Sequence, residues 1–173
     1  INQLKSDQQE IVQSKEKLDN TLDKIKVATE FERKRRIKRA AYDNEEDRYE
    51  KGRAALKQIT QFTPASSTPL NEEDFDFGEE LGNNIQIVKD IKNVESGYYL
   101  VIAVHSDVDK RDKFLTNAVS SGRSDIDFFY DVNTSKYYIY YEKFSGVEGA
   151  KRALKSKGKE PYNSKMSLVK IEN

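Results

Sequence analysis

The chain has 173 residues with equal numbers of acidic and basic side chains, so no net field attracts nucleic acid or an anionic membrane. It contains no cysteine, which excludes disulfides, thiolate nucleophiles and cysteine-based zinc sites. No apolar run approaches the roughly 18 residues of a membrane span, and no signal peptide is visible. Because the chain begins at Ile1 without a methionine, we expect it to be the tail of a longer polypeptide.

Residues 1–62 are predicted to form one long charged helix, since neither glycine nor proline interrupts them before Gly52. Apolar residues recur on a heptad frame, with Gln8 and Lys15 as polar interruptions. The resulting narrow seam consists of Ile1, Leu4, Ile11, Leu18, Leu22 and Ile25. Such a seam needs a partner helix, which could be a second copy, another subunit or another segment of the parent chain.

A basic run at residues 33–39 is followed closely by acidic residues at 43 and 45–47. One interpretation is a patch for phosphate or another anionic partner. The favoured interpretation is a solvated helix surface whose neighbouring charges pair at i, i+4, because the acidic block neutralises the patch locally.

Residues 63–95 are predicted to be a linker followed by an arm. The first part carries two prolines, small polar residues and then acidic ones, which is typical of a linker. The second part supplies scattered apolar residues in a polar setting, and could be a short strand or an arm lying on the next domain.

Residues 96–173 predict an α+β domain of order β-α-β-β-α-β. Strands are expected at about 98–104, 126–130, 136–144 and 166–171, because these runs are rich in β-branched and aromatic residues. The two predicted helices end at Gly122 and Gly158. This order predicts a four-stranded antiparallel sheet with two helices on one face, leaving the other face open as a binding surface.

Period-two alternation assigns side chains to that open face. Ile139 belongs in the core, so its neighbours Tyr138 and Tyr140 are expected to point outward. The predicted ligand-binding residues, for a glycan or a protein partner, are Tyr99, Val101, Ala103, His105, Phe129, Tyr138, Tyr140 and Glu142. Exposed aromatic rings of this kind stack on sugars or nucleobases. The alternative is that residues 75–95 or a partner protein cover them, because large aromatic patches are seldom left bare.

Two stretches carry a resemblance to a known family. They are the opening strand at 99–104 and the aromatic run at 137–144, with Ser145, Glu148, Ala150, Ala153 and Leu154 following it. Residues 97–173 thereby resemble the SPOR domain, a peptidoglycan-binding module of bacterial envelope proteins. The resemblance implies a periplasmic or cell-envelope location and binding of bare glycan strands on the open sheet face. Val101, Ala103 and the pair Glu142-Lys143 depart from the family pattern, which favours a protein ligand instead.

A fainter resemblance concerns the source. Residues 97–173 look like the C-terminal ends of large envelope proteins of Bacteroidetes, some of them linked to gliding motility and type IX secretion. The composition, rich in Lys, Asn, Tyr and Ile and poor in Pro, suits such a source.

The leading expectation is therefore a peptidoglycan-binding module with the helix as spacer or assembly element, and the alternative is a protein-docking module of an envelope complex. An enzyme is not expected, because His105 is the only histidine and no nucleophile–base pair stands out. No metal or cofactor site is expected either, since the acidic residues at 72–80 lack the spacing of a calcium loop. An RNA-binding domain of the same strand order would need glycines in its third strand, and residues 136–144 contain none.

Overall fold

The computed structural model describes residues 2–173, apart from the side chains of residues 2, 3, 6 and 37–43. It divides into two compact units, residues 1–44 and 45–173. This division differs from the boundaries predicted after residues 62 and 95. The first unit ends where the long helix stops, and everything from residue 45 onward packs into one body.

The first unit is the helix α1, Asn2–Asp43, so a long N-terminal helix is present as predicted. Charged side chains on its surface pair within the helix, as Glu32 does with Arg35 at 3.5 Å and with Arg36 at 3.6 Å. This pairing agrees with a solvated surface for the part of the basic run whose side chains are described. Among the described residues, no helix has the length and apolar character needed to cross a bilayer.

The second unit begins with a helix that the sequence did not separate from the first. Its main elements are α2 Glu45–Phe62, β1 Gln86–Lys89, β2 Gly97–His105, α3 Val108–Ser120, β3 Asp127–Asp131, β4 Lys136–Phe144, α4 Val147–Lys155 and β5 Ser167–Glu172. From β2 onward the order is β-α-β-β-α-β, and each of these elements lies within a few residues of its predicted position.

The sheet has five strands in the order β1-β5-β2-β4-β3, and β1 runs parallel to β5. The prediction of a four-stranded antiparallel sheet is therefore wrong, although the other pairings are antiparallel. The sheet also curls. Strands β1 and β4 would be about 14 Å apart in a flat sheet, three strand spacings away. Yet the Gln86 side-chain amide of β1 donates a hydrogen bond to the Tyr138 hydroxyl of β4 at 3.2 Å.

One face of the sheet packs against helices and forms the helix-side core. Ile102 and Ile139 from the strands meet Phe114 and Leu115 of α3 and Ala150 of α4, and all five are buried. Helix α2 adds Leu56 and Ile59 to the same core. Two helices were predicted on this face. Helix α2 is a third, because its apolar side chains are also partly buried by packing against this core.

The segment before β1 is part of this unit rather than a free linker. Phe75 is buried in the helix-side core, where its ring meets Phe114 edge-on at 5.4 Å. Further along, the Glu79 amide donates to the Val104 carbonyl at 2.9 Å, and the Val104 amide donates to the Phe77 carbonyl at 3.1 Å. These bonds continue the edge of β2 beyond the point where β5 ends.

Candidate functional site

The predicted binding face exists as a set of side chains, but it is not open. Tyr99, Val101, Phe129 and Tyr138 lie together on the face opposite α3 and α4, as alternation predicts. Each of them is at most 3% exposed, and Tyr140 beside them is half-buried. The prediction of an uncovered sheet face is therefore wrong, whereas its alternative, a face covered by residues from the 75–95 segment, is what the structure shows.

The buried side chains on this face form a second core, called the arm-side core here, in which the aromatic rings pack against one another. Phe129 and Tyr138 are stacked with centroids 5.0 Å apart and an interplanar angle of 5°. Tyr99 meets Tyr140 edge-on at 4.7 Å and Phe129 at 5.6 Å. Rings engaged in this way fill a core and present no free face on which a sugar could stack.

The cover is a continuous segment, residues 81–95, called the arm here, which includes the edge strand β1. Val88 and Ile91 are buried against the rings, and Leu81 and Val94 pack beside them. Three polar contacts fix the arm in place: the Tyr99 hydroxyl donates to the Glu95 carbonyl at 2.7 Å, the Asn173 side-chain amide donates to the Val94 carbonyl at 2.8 Å, and the Ile91 amide donates to the Asn173 side-chain oxygen at 2.8 Å.

Burial also changes the chemistry of the phenols. The pKa of Tyr99 and that of Tyr138 are raised, chiefly because desolvation disfavours the phenolate, and the pKa of Tyr140 is raised further for the same reason. These hydroxyls remain neutral in any ordinary buffer. They act as hydrogen-bonding groups, and none of them is a phenolate base near neutral pH.

Two predicted site residues, Ala103 and His105, lie on the other face. The register between β2 and β4 shifts by one residue between Tyr99 and Val101. It shifts back between Val101 and Ala103, so the register is the same before and after the two irregularities. Each extra residue reverses the alternation that follows it. Ala103 therefore joins the helix-side core, and the His105 ring lies 6.0 Å from that of Phe114. The prediction that both face outward with Tyr99 is wrong.

His105 gives a testable pH dependence. Its side chain is buried, and Nε2 has no hydrogen-bond partner among the described residues. Its pKa is lowered mainly by desolvation, an effect that Asp76 and Asp107 partly oppose and Lys110 reinforces. The unfolded chain binds the proton at the ordinary value of 6.5, so the folded state loses stability as pH falls below that value.

We expect the free energy of unfolding of the second unit to fall between pH 7.5 and pH 5 in the native chain. The His105→Gln variant, which cannot titrate there, should show a flatter profile over the same range. Urea denaturation followed by tyrosine circular dichroism measures both profiles. Equal slopes for the two proteins would contradict a buried neutral histidine.

Glu142 lies apart from the other predicted residues. Its side chain is exposed beyond the irregularity in β4, and it borders a shallow groove with Arg123 and Lys157. The Arg123 guanidinium lies 3.8 Å from the centre of the Tyr141 ring. The described residues that line this groove are all different from those of the arm-side core, so the eight predicted residues do not form one site.

A cavity that the sequence did not reveal opens at the edge strand β3. It is lined by the start of α2, by residues 92–94 of the arm and by residues of β3 and β4 that include Phe129 and Tyr140. Its volume is about 110 Å³. That is less than the roughly 150 Å³ of a cavity that holds one benzene ring, so it cannot enclose a hexose.

The charges around this cavity are largely paired with each other. Arg53 contacts Asp127 at 2.6 Å, and Lys92 contacts Glu45 at 2.9 Å. Arg48 lies over the Tyr130 ring at 4.2 Å. These contacts attach α2 to the sheet edge and to the arm. No signal in the sequence marks them, because the partners lie far apart along the chain and each charge resembles its neighbours on the helix.

Among the described residues, most of the exposed large apolar side chains lie on the first unit. The described seam residues of α1 are between 49% and 70% exposed, namely Leu4, Ile11, Leu18, Leu22 and Ile25. Ile1, which was predicted to belong to the seam, lies outside the described residues. Val27 and Phe31 are exposed on other sides of the same helix.

The fold therefore defines an α+β protein with a curled, mixed five-stranded sheet, whose interior aromatic cluster is covered by its own chain. Comparisons with protein-family models, with curated proteins and with solved structures find no match to this chain. The part of the chain that the structure describes also contains no group of three or more His, Asp or Glu side chains placed to hold a metal ion.

Proposed function

We propose that this chain is a non-catalytic protein-docking module, in which the seam of α1 joins it to another protein subunit and the second unit is a separate folded domain. The supporting observation is the distribution of apolar surface. The sheet face is buried within its own unit, whereas the seam is exposed along several helical turns. Apolar residues repeated on one side of a helix are stabilised by burial against another helix.

The envelope location belongs to this proposal through the SPOR resemblance alone. Docking within an envelope complex, such as one for secretion or gliding motility, fits a helix that connects a folded domain to another subunit. Glycan binding through the sheet has less support, because it would require the arm to leave and expose Tyr99, Phe129 and Tyr138. Moving the arm would also break the hydrogen bonds that Asn173 makes to it.

The proposal predicts that the seam carries the contact with the partner. A tagged chain isolated from cells that also produce the untagged chain should retain an untagged protein, either that chain or another subunit, in fixed stoichiometry. Replacing Leu18 and Leu22 together by glutamine should abolish this retention, because the exposed apolar stripe is then interrupted over two turns. Glutamine keeps the helix, as it is nearly as good a helix former as leucine.

The matched control is Val27→Gln, which changes another exposed apolar residue of the same helix away from the seam. It should leave the retained protein in place. The same preparations are then mixed with purified peptidoglycan sacculi and sedimented. Retention that survives the double substitution, or co-sedimentation with sacculi in the absence of any protein partner, would overturn docking through the seam.

A further inference from the structure

We infer that the partner of α1 is a second copy of the same helix, running antiparallel, with Lys15 of each copy opposite Glu32 of the other. This inference rests on the proposed docking function and specifies the occupant of the seam. It follows from where charged residues fall within an otherwise apolar stripe.

The heptad frame can be extended along the described helix. The a positions after the first are Gln8, Lys15, Leu22, Thr29 and Arg36, and the d positions are Leu4, Ile11, Leu18, Ile25 and Glu32. The apolar centre of the seam consists of Leu18, Leu22 and Ile25; Lys15 precedes it, and Thr29, Glu32 and Arg36 follow it. Charged residues inside a seam contribute little drive to association but decide which arrangements are allowed.

A parallel pair in register is disfavoured by these charges. Each a or d residue would then face its own copy, so Lys15 would meet Lys15, Glu32 would meet Glu32 and Arg36 would meet Arg36. Like charges held together at a partly desolvated seam repel one another. Three such contacts within one seam oppose this arrangement.

An antiparallel pair brings a positions opposite d positions, and one register pairs the charges of Lys15 and Glu32, while Arg36 faces Ile11 of the second copy. With Leu22 opposite Ile25 of the second copy, Leu18 faces Thr29 and Lys15 faces Glu32. The flanking e positions then place Asp19 beside Lys26 of the other copy. Because the pair is two-fold symmetric, each of these contacts occurs twice.

Neighbouring registers are less favourable. A shift of one heptad in one direction places Asp19 beside Asp19 of the other copy and leaves Lys15 facing Ile25. The opposite shift places Lys26 beside Lys26 and leaves Glu32 facing Leu22. The charges thus select the central register, while burial of Leu18, Leu22 and Ile25 supplies the drive. Val27 and Phe31 lie at f and c positions and stay outside this contact.

Charge reversal tests the pairing in the purified 173-residue chain by sedimentation equilibrium at low ionic strength. The native chain should form a two-copy species. Lys15→Glu alone, or Glu32→Lys alone, should weaken dimerisation at least about tenfold, since each creates two like-charge contacts. Combining them should restore most of the affinity, because the opposite charges face each other again.

The matched control is Lys17→Glu, which makes the same charge change at an exposed c position two residues away. It should leave the dimerisation constant within about threefold of the native value, as expected for an exposed charge outside the contact. A monomeric native chain, single variants that dimerise normally, or a double variant no better than the singles would each overturn the inference.

Spin-label distances test the orientation without disturbing the seam. The chain has no cysteine, so Lys24→Cys and Gln13→Cys each introduce one label on an exposed part of the helix. In the antiparallel register, Lys24 lies next to the symmetry axis, whereas the two Gln13 positions are separated along the helices by about 30 Å, from the rise of 1.5 Å per residue. A parallel pair would give equally short distances for both labels and would overturn the inference.

Failure of this inference can be distinguished from failure of the docking function. A purified chain that is monomeric, or that pairs in parallel, removes the antiparallel dimer only. The docking function falls separately, if cells retain the same partner after the seam substitutions at Leu18 and Leu22.

Discussion

Replacing Tyr138 by alanine is expected to destabilise the second unit by about 3–5 kcal/mol, as for other large aromatic residues removed from a core. The side chain is 1% exposed, stacks on Phe129 and accepts a hydrogen bond from Gln86. Its removal leaves a cavity beneath the arm that neighbouring rings cannot fill. Denaturant unfolding followed by near-ultraviolet circular dichroism of tyrosine measures the loss, since this signal reports tertiary packing.

The matched control is Tyr49→Ala, which removes the same side chain from a surface position that is 41% exposed. It should cost about 1 kcal/mol or less, as exposed substitutions usually do. The comparison also decides the role of the sheet face. If Tyr138 were part of an exposed stacking surface, the two variants would have similar stability, and that result would contradict a buried aromatic cluster.

Replacing Gly78 by alanine is expected to cost about 2–4 kcal/mol, the sum of lost hydrogen bonds and an unfavourable backbone conformation. Its φ is +70°, and a Cβ placed there would lie 1.8 Å from the Val104 carbonyl oxygen, so the backbone must move. That movement breaks the hydrogen bonds linking residues 77–79 to β2, each contributing about 1 kcal/mol. The left-handed conformation adds about 1–2 kcal/mol for a residue with a side chain.

Gly82 provides a control with nearly the same backbone. Its φ is +73°, but no other atom lies within 4 Å of the position that an alanine methyl group would take. Gly82→Ala should therefore cost only the conformational term, about 1–2 kcal/mol. Thermal unfolding measures the loss of stability in both variants. The difference between them is the cost of the clash with Val104, since both share the cost of the backbone conformation. Equal losses at the two positions would show that the contact with Val104 does not hold the segment in place.

Residues 63–95 look like a linker in sequence, although Gly78 and its neighbours are bonded to β2 and belong to the folded unit. Their composition is polar and interrupted, yet Phe75, Val88 and Ile91 are buried. Each of them reaches a core through contacts with segments that are distant in the sequence. Such contacts leave no periodic pattern, because the segment is irregular and its partners lie elsewhere in the chain.

The prediction of β2 to β5 was accurate because it depends on local properties, whereas the pattern before residue 96 did not distinguish a short strand from an arm. The runs at 97–105 and 136–144 are aromatic and β-branched, which suits a pleated surface whatever surrounds it. Alternation along β4 also placed Tyr138 and Tyr140 on one face and Ile139 on the other. In β2 it failed after Val101, since a bulge depends on the pairing with β4 rather than on either strand alone.

Local sequence patterns were enough to indicate a long N-terminal helix with a heptad pattern and a β-α-β-β-α-β order with aromatic strands, but not the break between α1 and α2. Those features follow from periodicity and propensity, which act over a few residues. The closure of the aromatic face could be found only in the folded chain, because its cover is an arm whose strand β1 pairs with β5 about 80 residues later. Burial depends on which distant segments meet, and the same aromatic residues would look alike in the sequence whether they were exposed or enclosed.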